Sequence, residues 1–423
     1  MKILFVSEYF WPKGAGGGEI SMELLAKNLV KSGHDVSILT SYFKGLSKFE
    51  IKDGIRIFRM ARTGEDPSSL LGNLKRAYLF PKSVKKTVLK LHAKEKFDVI
   101  HCMNLTSVHV IDVKKALGTI YNTAFLAHMN SPLNVCPKGD LLINGEKECK
   151  KRFDFSTCFR CCMNSMTLGT RKNKFYSRYN PFLFYLIYRR FKSIHRKLKK
   201  FDKLIAISEY PKKRMEKYTD KKIDVLYNIV NIEKFLTQKA IDNAVPKILF
   251  IGQYTKIKGA KVLLDALKIV KKKNISFECN YFGSGNLKEE LEADTKAHNL
   301  DVNINDKIPF SEVPEKYGEH DIVVFPSIVA EAFGRITIES MAAGKPVIGS
   351  RIGGIQYLIE DDVTGLLVEP GVPTQLADAL IKLLKNKDLR NRLGENGKRT
   401  AKAKFSAEGI VEKAQQIYLN SHR

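Results

Sequence analysis

The sequence predicts an α/β protein made of two doubly wound parallel sheets facing across a cleft, and three observations carry that expectation. Short runs rich in Val, Ile and Phe alternate with helical patterns along nearly the whole chain, as βαβ units around a parallel sheet do. The alternation breaks once, at Gln238–Pro246, and restarts at Lys247. At 423 residues with 44% hydrophobic content, the chain exceeds what one core serves and suits two domains of roughly 200 residues each.

The first domain is expected over residues 1–240, with strands at Lys2–Ser7, Asp35–Ser41, Phe97–Met103, Tyr121–Met129, Lys203–Ser208 and Ile223–Asn228. A helix, Ile20–Ser32, follows the first glycine-rich loop, and a polar, cysteine-rich insert occupies about 132–164. The second Rossmann-like domain, 245–404, has strands at Lys247–Gly252, Phe277–Gly283, Asp321–Ser327 and Pro346–Ser350. A terminal segment, 405–423, holds a helix from Ala407 to Leu419 with Ile410, Val411, Ala414, Ile417 and Tyr418 at helical spacing. It is expected to pack back toward the first domain. No repeat of solenoid period is present. Ligands of such sheets bind at the carboxyl ends of the strands.

Composition narrows the class. The longest apolar run, Phe182–Tyr188, is about a third of what a membrane-spanning helix needs, and the start reads as a strand rather than a secretory signal. A cytoplasmic protein is expected. Seven cysteines are too few, and odd in number, for a disulfide scaffold. The net charge of +27 raises nucleic acid, acidic lipid and phosphorylated ligands as partners. The excess is local, with twelve Lys/Arg against the single acid Asp202 between Arg171 and Lys203.

The most informative stretch runs from Phe325 to Gly354. A strand ends at Pro326-Ser327, a loop holds Glu331, and a helix beginning near Gly334 carries Glu339 beside an apolar stripe of Ile338, Met341 and Ala342. Two carboxylates eight residues apart, roughly 12 Å if helical, can grip two hydroxyl-bearing parts of one elongated ligand. The free N–H groups at the helix start suit a diphosphate between them.

These residues resemble the donor site of the retaining glycosyltransferases of family 4, with its Pro-Ser, Glu, Phe-Gly, Glu, small-residue turn, Pro-Val and Gly-Gly pattern. The resemblance covers nearly the whole chain and is most specific over residues 247–370. It implies the GT-B fold and gives Glu331 the hydroxyls of the transferred sugar. Phe333 and Gly334 become backbone contacts to the donor, and Glu339 becomes the ribose ligand. It also implies that the leaving phosphate helps deprotonate the acceptor, with no cofactor required for the chemistry.

Upstream, Gly252-Gln-Tyr-Thr-Lys-Ile-Lys258-Gly259 follows the first strand of the second domain. The resemblance places Lys258 on the diphosphate, where a cation stabilises charge building on the leaving group. Gln253 stands where the family more often has arginine, with Lys256 a candidate substitute. By the same resemblance, Gly283 belongs to a glycine-rich loop near the nucleotide, and Ile308 lies where the family uses backbone groups to read the base. In the first domain, Gly14-Ala-Gly16-Gly17-Gly18 does not fit the dehydrogenase Gly-x-Gly-x-x-Gly turn. The resemblance makes Gly16 and Gly17 a glycine pair touching donor phosphate. His128, ending the run from Tyr121, matches a recurrent active-site histidine near the sugar; His101 is the competing candidate.

Two features lie apart from this motif. Cys136, Cys149, Cys158 and Cys161, with Cys162 beside them, contain one Cys-x-x-Cys half-site and form a candidate structural zinc site, against free thiols or a disulfide. The segment Phe175–Lys200 mixes aromatics with cations, either as an interfacial helix against anionic membrane or as a helix packing its aromatic face inward.

The expected activity is therefore transfer, with retention, of a hexose-type sugar from a UDP- or GDP-sugar to a glycan or lipid-linked acceptor, in cell-envelope polysaccharide synthesis on the cytoplasmic face. A nucleotide-sugar epimerase of the same fold and a basic nucleic-acid-binding protein are the alternatives, the latter unsupported by any recognised module.

Overall fold

The computed structural model describes residues 1–13, 17–64, 70–117, 122–130, 135–136, 141–143, 147–164, 181–238, 241 and 243–421. The chain divides into two units, one formed by Met1–Ile229 with Ile410–Arg423 and the other by Val230–Gly409. Among the described residues no helix is long and apolar enough to cross a membrane.

The first unit contains β1 (Lys2–Val6), β2 (Asp35–Ser41), β3 (Phe49–Lys52), β4 (Ile55–Ala61), β5 (Val99–Cys102), β6 (Ala124–Met129), β7 (Leu142–Ile143), β8 (Lys147–Glu148), β9 (Lys203–Ala206) and β10 (Ile223–Val225). Eight of these form a sheet in the order β10-β9-β6-β5-β1-β2-β4-β3, and β7 pairs with β8 alone. Only β3 runs antiparallel in the large sheet. The inner strands read as unbroken apolar runs because helices cover both faces of a parallel sheet; Ile3, Leu4, Phe5 and Val6 are fully buried.

The second unit contains β11 (Lys247–Gln253), β12 (Glu278–Ser284), β13 (Val302–Asn305), β14 (Ile322–Phe325), β15 (Val347–Ser350) and β16 (Gly365–Val368). Their order is β13-β12-β11-β14-β15-β16, all parallel. The winding reverses between β11 and β14, so the crevice at the carboxyl ends of these two strands is the place for a ligand in this unit. The helix Ala260–Lys272 buries Leu263, Leu264, Leu267 and Val270 along one stripe, as an amphipathic helix on a sheet does.

The strands read from the sequence are present, and four further ones complete the large sheets. The strands β3, β13 and β16 lie at sheet edges, and β4 is next to an edge. In β4 buried and part-exposed residues alternate over its first five positions. A half-exposed strand carries no continuous apolar run to mark it. The first helix begins at Gly17 rather than Ile20, so Gly17 and Gly18 belong to its first turn. The terminal helix spans Ala407–Leu419, buries Ile410, Val411, Ala414, Ile417 and Tyr418, and from Ile410 onward belongs to the first unit.

Candidate active site

The crevice between β11 and β14 holds a cavity of about 310 Å³ lined by Phe250, Ile251, Gln253, Lys258, Phe325 and Ile336. Gln253 and Lys258 thus share one pocket with the helix Arg335–Ala342. Lys258 ends a short 3-10 turn, Lys256–Lys258. That turn is tied to the Glu331 loop by the Ile328 amide, which donates to the Ile257 carbonyl at 3.0 Å. The Lys258 ammonium lies 2.5 Å from Glu331 Oε1, and the Ser327 hydroxyl lies 3.1 Å from the same oxygen. Two residues 73 positions apart, singled out separately in the sequence, form one ion pair.

Glycines fix the loop around Glu331. A Cβ on Gly353 would come within 2.5 Å of the Glu331 backbone, and one on Gly354 within 2.6 Å of the Phe333 carbonyl. The Gly354 amide donates to the Glu331 carbonyl at 2.6 Å. The Gly-Gly pair therefore lets one loop lie against the other. Gly334 caps the helix at φ 105°, and Phe333 beside it is buried.

Glu339 sits in the second turn of that helix and is 4% exposed. Only Arg335 to Glu339 of the eight-residue spacing is helical, so the helix contributes a rise of about 6 Å and the loop supplies the rest of the path to Glu331. Tyr317 donates its hydroxyl to Glu339 Oε2 at 3.1 Å, and Arg335 donates to Oε1 at 3.1 Å. Burial raises the Glu339 pKa, and Arg335 and the Tyr317 hydrogen bond oppose the rise. Neither partner was singled out in the sequence. Arg335 was legible as an i, i+4 pair; Tyr317, 22 residues away, had no local signal.

Gly283 stands where a Cβ would come 1.8 Å from the Gly252 carbonyl oxygen. Its side-chain-free backbone is demanded by the neighbouring strand β11, whatever else it touches. Ile308 is half-buried in the loop after β13.

In the first unit, His128 is 5% exposed and stacks on His101 with ring centroids 5.3 Å apart and planes at 16°. His101 Nδ1 lies 3.0 Å from the Tyr418 hydroxyl. Neither His128 ring nitrogen has a hydrogen-bond partner among the described residues. Burial lowers the His128 pKa to about 4, so the ring is neutral near pH 7. The two competing histidines thus stand side by side. Also buried at the end of β1 is Glu8, 1% exposed, which accepts from Arg76 at 2.8 and 2.9 Å and from Thr63 at 2.5 Å. An acid directly after an apolar strand was the signal for it. Gly17 opens the first helix; Gly16 lies outside the described residues.

Cys136, Cys149 and Cys161 lie close enough to Cys158 to raise its pKa further, after burial, to about 11. Among the described residues no three His, Cys, Asp or Glu side chains converge as metal ligands. Aromatics pack the described part of the insert: the helix Phe155–Asn164 sets Phe155 and Phe159 edge-on against Phe184, each at 5.2 Å, and Phe153 stacks on Phe191 at 4.3 Å.

Phe184 and Phe191 belong to the helix Pro181–Leu198; residues 175–180 lie outside the described residues. Its inner face buries Phe184, Phe191, Ile194 and Leu198. Its outer face exposes Phe182, Tyr185 and Leu186, followed by Arg189, Lys192 and Arg196. The packing and the surface-facing expectations apply to opposite faces of one helix.

Two family models match the chain: Glycosyltransferase Family 4 over residues 15–234 and Glycosyl transferases group 1 over residues 231–400. The chain belongs to glycosyltransferase family 4. An uncharacterized glycosyltransferase of Methanocaldococcus jannaschii is 24% identical over 99% of this chain and 98% of its own length. Another from the same organism is 33% identical, over 51% of this chain and 59% of its own length. Among solved structures, Anabaena HepE in complex with UDP matches 99% of this chain and 100% of that chain at TM-score 0.66 and 18% identity. The fold of this family 4 enzyme is the GT-B type.

Proposed function

We propose that this glycosyltransferase takes its sugar from a nucleoside diphosphate sugar held by the second unit and transfers it with retention of configuration to a glycan or lipid-linked acceptor. The observation that carries this reading is the Lys258–Glu331 pair beside the crevice cavity. A carboxylate there accepts from sugar hydroxyls, and the adjoining ammonium faces the charge that grows on the leaving diphosphate. Amides at the start of the Arg335–Ala342 helix supply further donors at the end where anions bind. HepE, a GT-B neighbour, binds UDP.

In the reaction the bond from the anomeric carbon to the diphosphate oxygen breaks, and its electron pair stays on that oxygen. The acceptor oxygen bonds to the same face of the sugar, and its proton passes to the departing phosphate oxygen. Lys258 stabilises the diphosphate as charge develops, while Glu331 holds the sugar and fixes Lys258. In the first unit, His128 is neutral, and its buried ring nitrogens have no hydrogen-bond partner among the described residues. The outer face of the Pro181–Leu198 helix suits peripheral contact with anionic lipid at the cytoplasmic face. A structural zinc on the four cysteines is a separate proposal resting on their spacing; purified protein holding about one zinc per chain supports it, and metal-free protein rejects it.

The test is calorimetric titration with a panel of UDP- and GDP-sugars, followed by assay of the products. Release of nucleoside diphosphate with an α-linked product from an α-linked donor supports the reading. An epimerised nucleotide sugar, or salt-sensitive oligonucleotide binding with no donor binding, overturns it.

A further inference from the structure

Resting on the donor reading above, we infer that Arg335 and Tyr317 are positioning residues that hold Glu339 as an oriented carboxylate for the nucleotide ribose. The carboxylate is almost wholly buried, and each oxygen has its own donor. Tyr317, fully buried on the helix Val313–Glu319, takes Oε2, and Arg335, one turn before Glu339, takes Oε1. With one donor on each oxygen from a separate helix, the carboxylate cannot rotate without losing a charge-assisted bond.

Both partners are themselves fixed. The Arg335 guanidinium lies 5.3 Å from the centre of the Phe310 ring, in the loop that carries Ile308. The Tyr317 ring meets Phe235 edge-on at 5.3 Å, and Phe235 is fully buried. A planar guanidinium with an aromatic on one side and a carboxylate at one edge is a preorganised fork. Its Nε is buried and has no partner among the described residues, leaving one more donor beside the carboxylate.

The arrangement also sets the charge of Glu339. Burial favours the neutral acid, and the groups that oppose it are Arg335 of the same helix and Tyr317 of the helix packed nearby. Removing Arg335 therefore raises the pKa of Glu339. A carboxylate protonated at higher pH is a weaker acceptor for ribose hydroxyls, so binding should fall as pH is lowered, and return as it is raised.

The experiment titrates UDP and GDP into wild type, Arg335→Leu, Arg335→Lys, Tyr317→Phe and Glu339→Ala between pH 6 and 8.5, with thermal unfolding as the check on folding. Wild type should show only the pH dependence that the second ionisation of the diphosphate itself, at about pH 6, imposes. Arg335→Leu should lose affinity relative to wild type as pH falls from 8.5 to 6, the ratio of its dissociation constant to that of wild type rising severalfold. Arg335→Lys should restore the wild-type profile, and Tyr317→Phe should depart from it less, in the same direction. Arg335→Leu with unchanged binding, or with a loss equal at every pH, overturns the inference, the second because it makes Arg335 a direct ligand. If Glu339→Ala loses nucleotide while Arg335→Leu does not, only the positioning role fails. If wild type binds neither nucleotide, the donor reading fails and the inference falls with it.

Discussion

The ammonium of Lys258 stands 2.5 Å from Oε1 of Glu331, so the cation assigned to the leaving diphosphate and the carboxylate assigned to the sugar are a single unit. Changing either should disturb the chemistry more than the binding of nucleotide. Glu331→Gln is expected to lower turnover by about 100-fold while UDP or GDP affinity stays within about threefold. Lys258→Ala should likewise lower the catalytic rate more than donor affinity. Steady-state release of nucleoside diphosphate, set beside calorimetry, checks both, and equal losses in rate and affinity would reduce the pair to ground-state binding.

Gly283 separates packing from ligand contact. Gly283→Ala drives a methyl into the Gly252 carbonyl at 1.8 Å, so the second unit should lose roughly 3 kcal/mol or more. Thermal unfolding should show a lowered midpoint, with nucleotide affinity of the folded protein nearly intact. An unchanged midpoint with lost affinity would make Gly283 a donor contact first.

Acid should weaken the first unit. Burial holds His128 at about 4 and His101 well below its ordinary value, against about 6.5 for an unfolded histidine. Below pH 6.5 the unfolded chain takes up protons that the folded unit refuses. Stability is then complete above pH 6.5 and falls as pH drops towards 4. For His128 alone the full effect is roughly 3 kcal/mol. Urea midpoints at pH 7.5 and 5 should differ accordingly, and His128→Gln should flatten the dependence; equal midpoints in wild type would show that these rings are not kept neutral.

The helix Pro181–Leu198 predicts a salt-sensitive surface interaction. Wild-type protein should co-sediment with vesicles containing anionic lipid at low salt and leave them at high salt, since each engaged cation contributes about 1 kcal/mol. Changing Arg189, Lys192 and Arg196 to glutamine should release it without altering turnover of a soluble acceptor analogue. Protein that stays in the supernatant at low salt would leave this face with no lipid role.

Local chemistry made much of this legible. The inner strands declared themselves because burial on both faces demands unbroken apolar runs, and the helix at Ala407–Leu419 because its apolar spacing is strict. The edge strand β13 was silent for the converse reason, while β16, apolar and mostly buried, is only four residues long. Glu331, Glu339 and Lys258 were legible as motif residues, yet the sequence did not say that Lys258 and Glu331 touch. Nor could it show Tyr317 under Glu339, a contact made by folding between helices 22 residues apart. The stack of His101 on His128 needed the register of β5 beside β6.

The hydrogen-bond distance between Tyr418 and His101 sets an order of assembly. The first unit is closed by residues after Ile410, and the intervening stretch from Val230 to Gly409 is a complete unit of its own. At about 5–20 residues per second, a ribosome takes on the order of 9 to 36 s to make those 180 residues. For that interval the earliest strands to emerge lack the surface that Ile410, Val411, Ala414 and Ile417 later bury. The unit begun first is thus finished last, and a nascent chain stalled before Ile410 should hold a folded second unit beside a first one that still attracts chaperones.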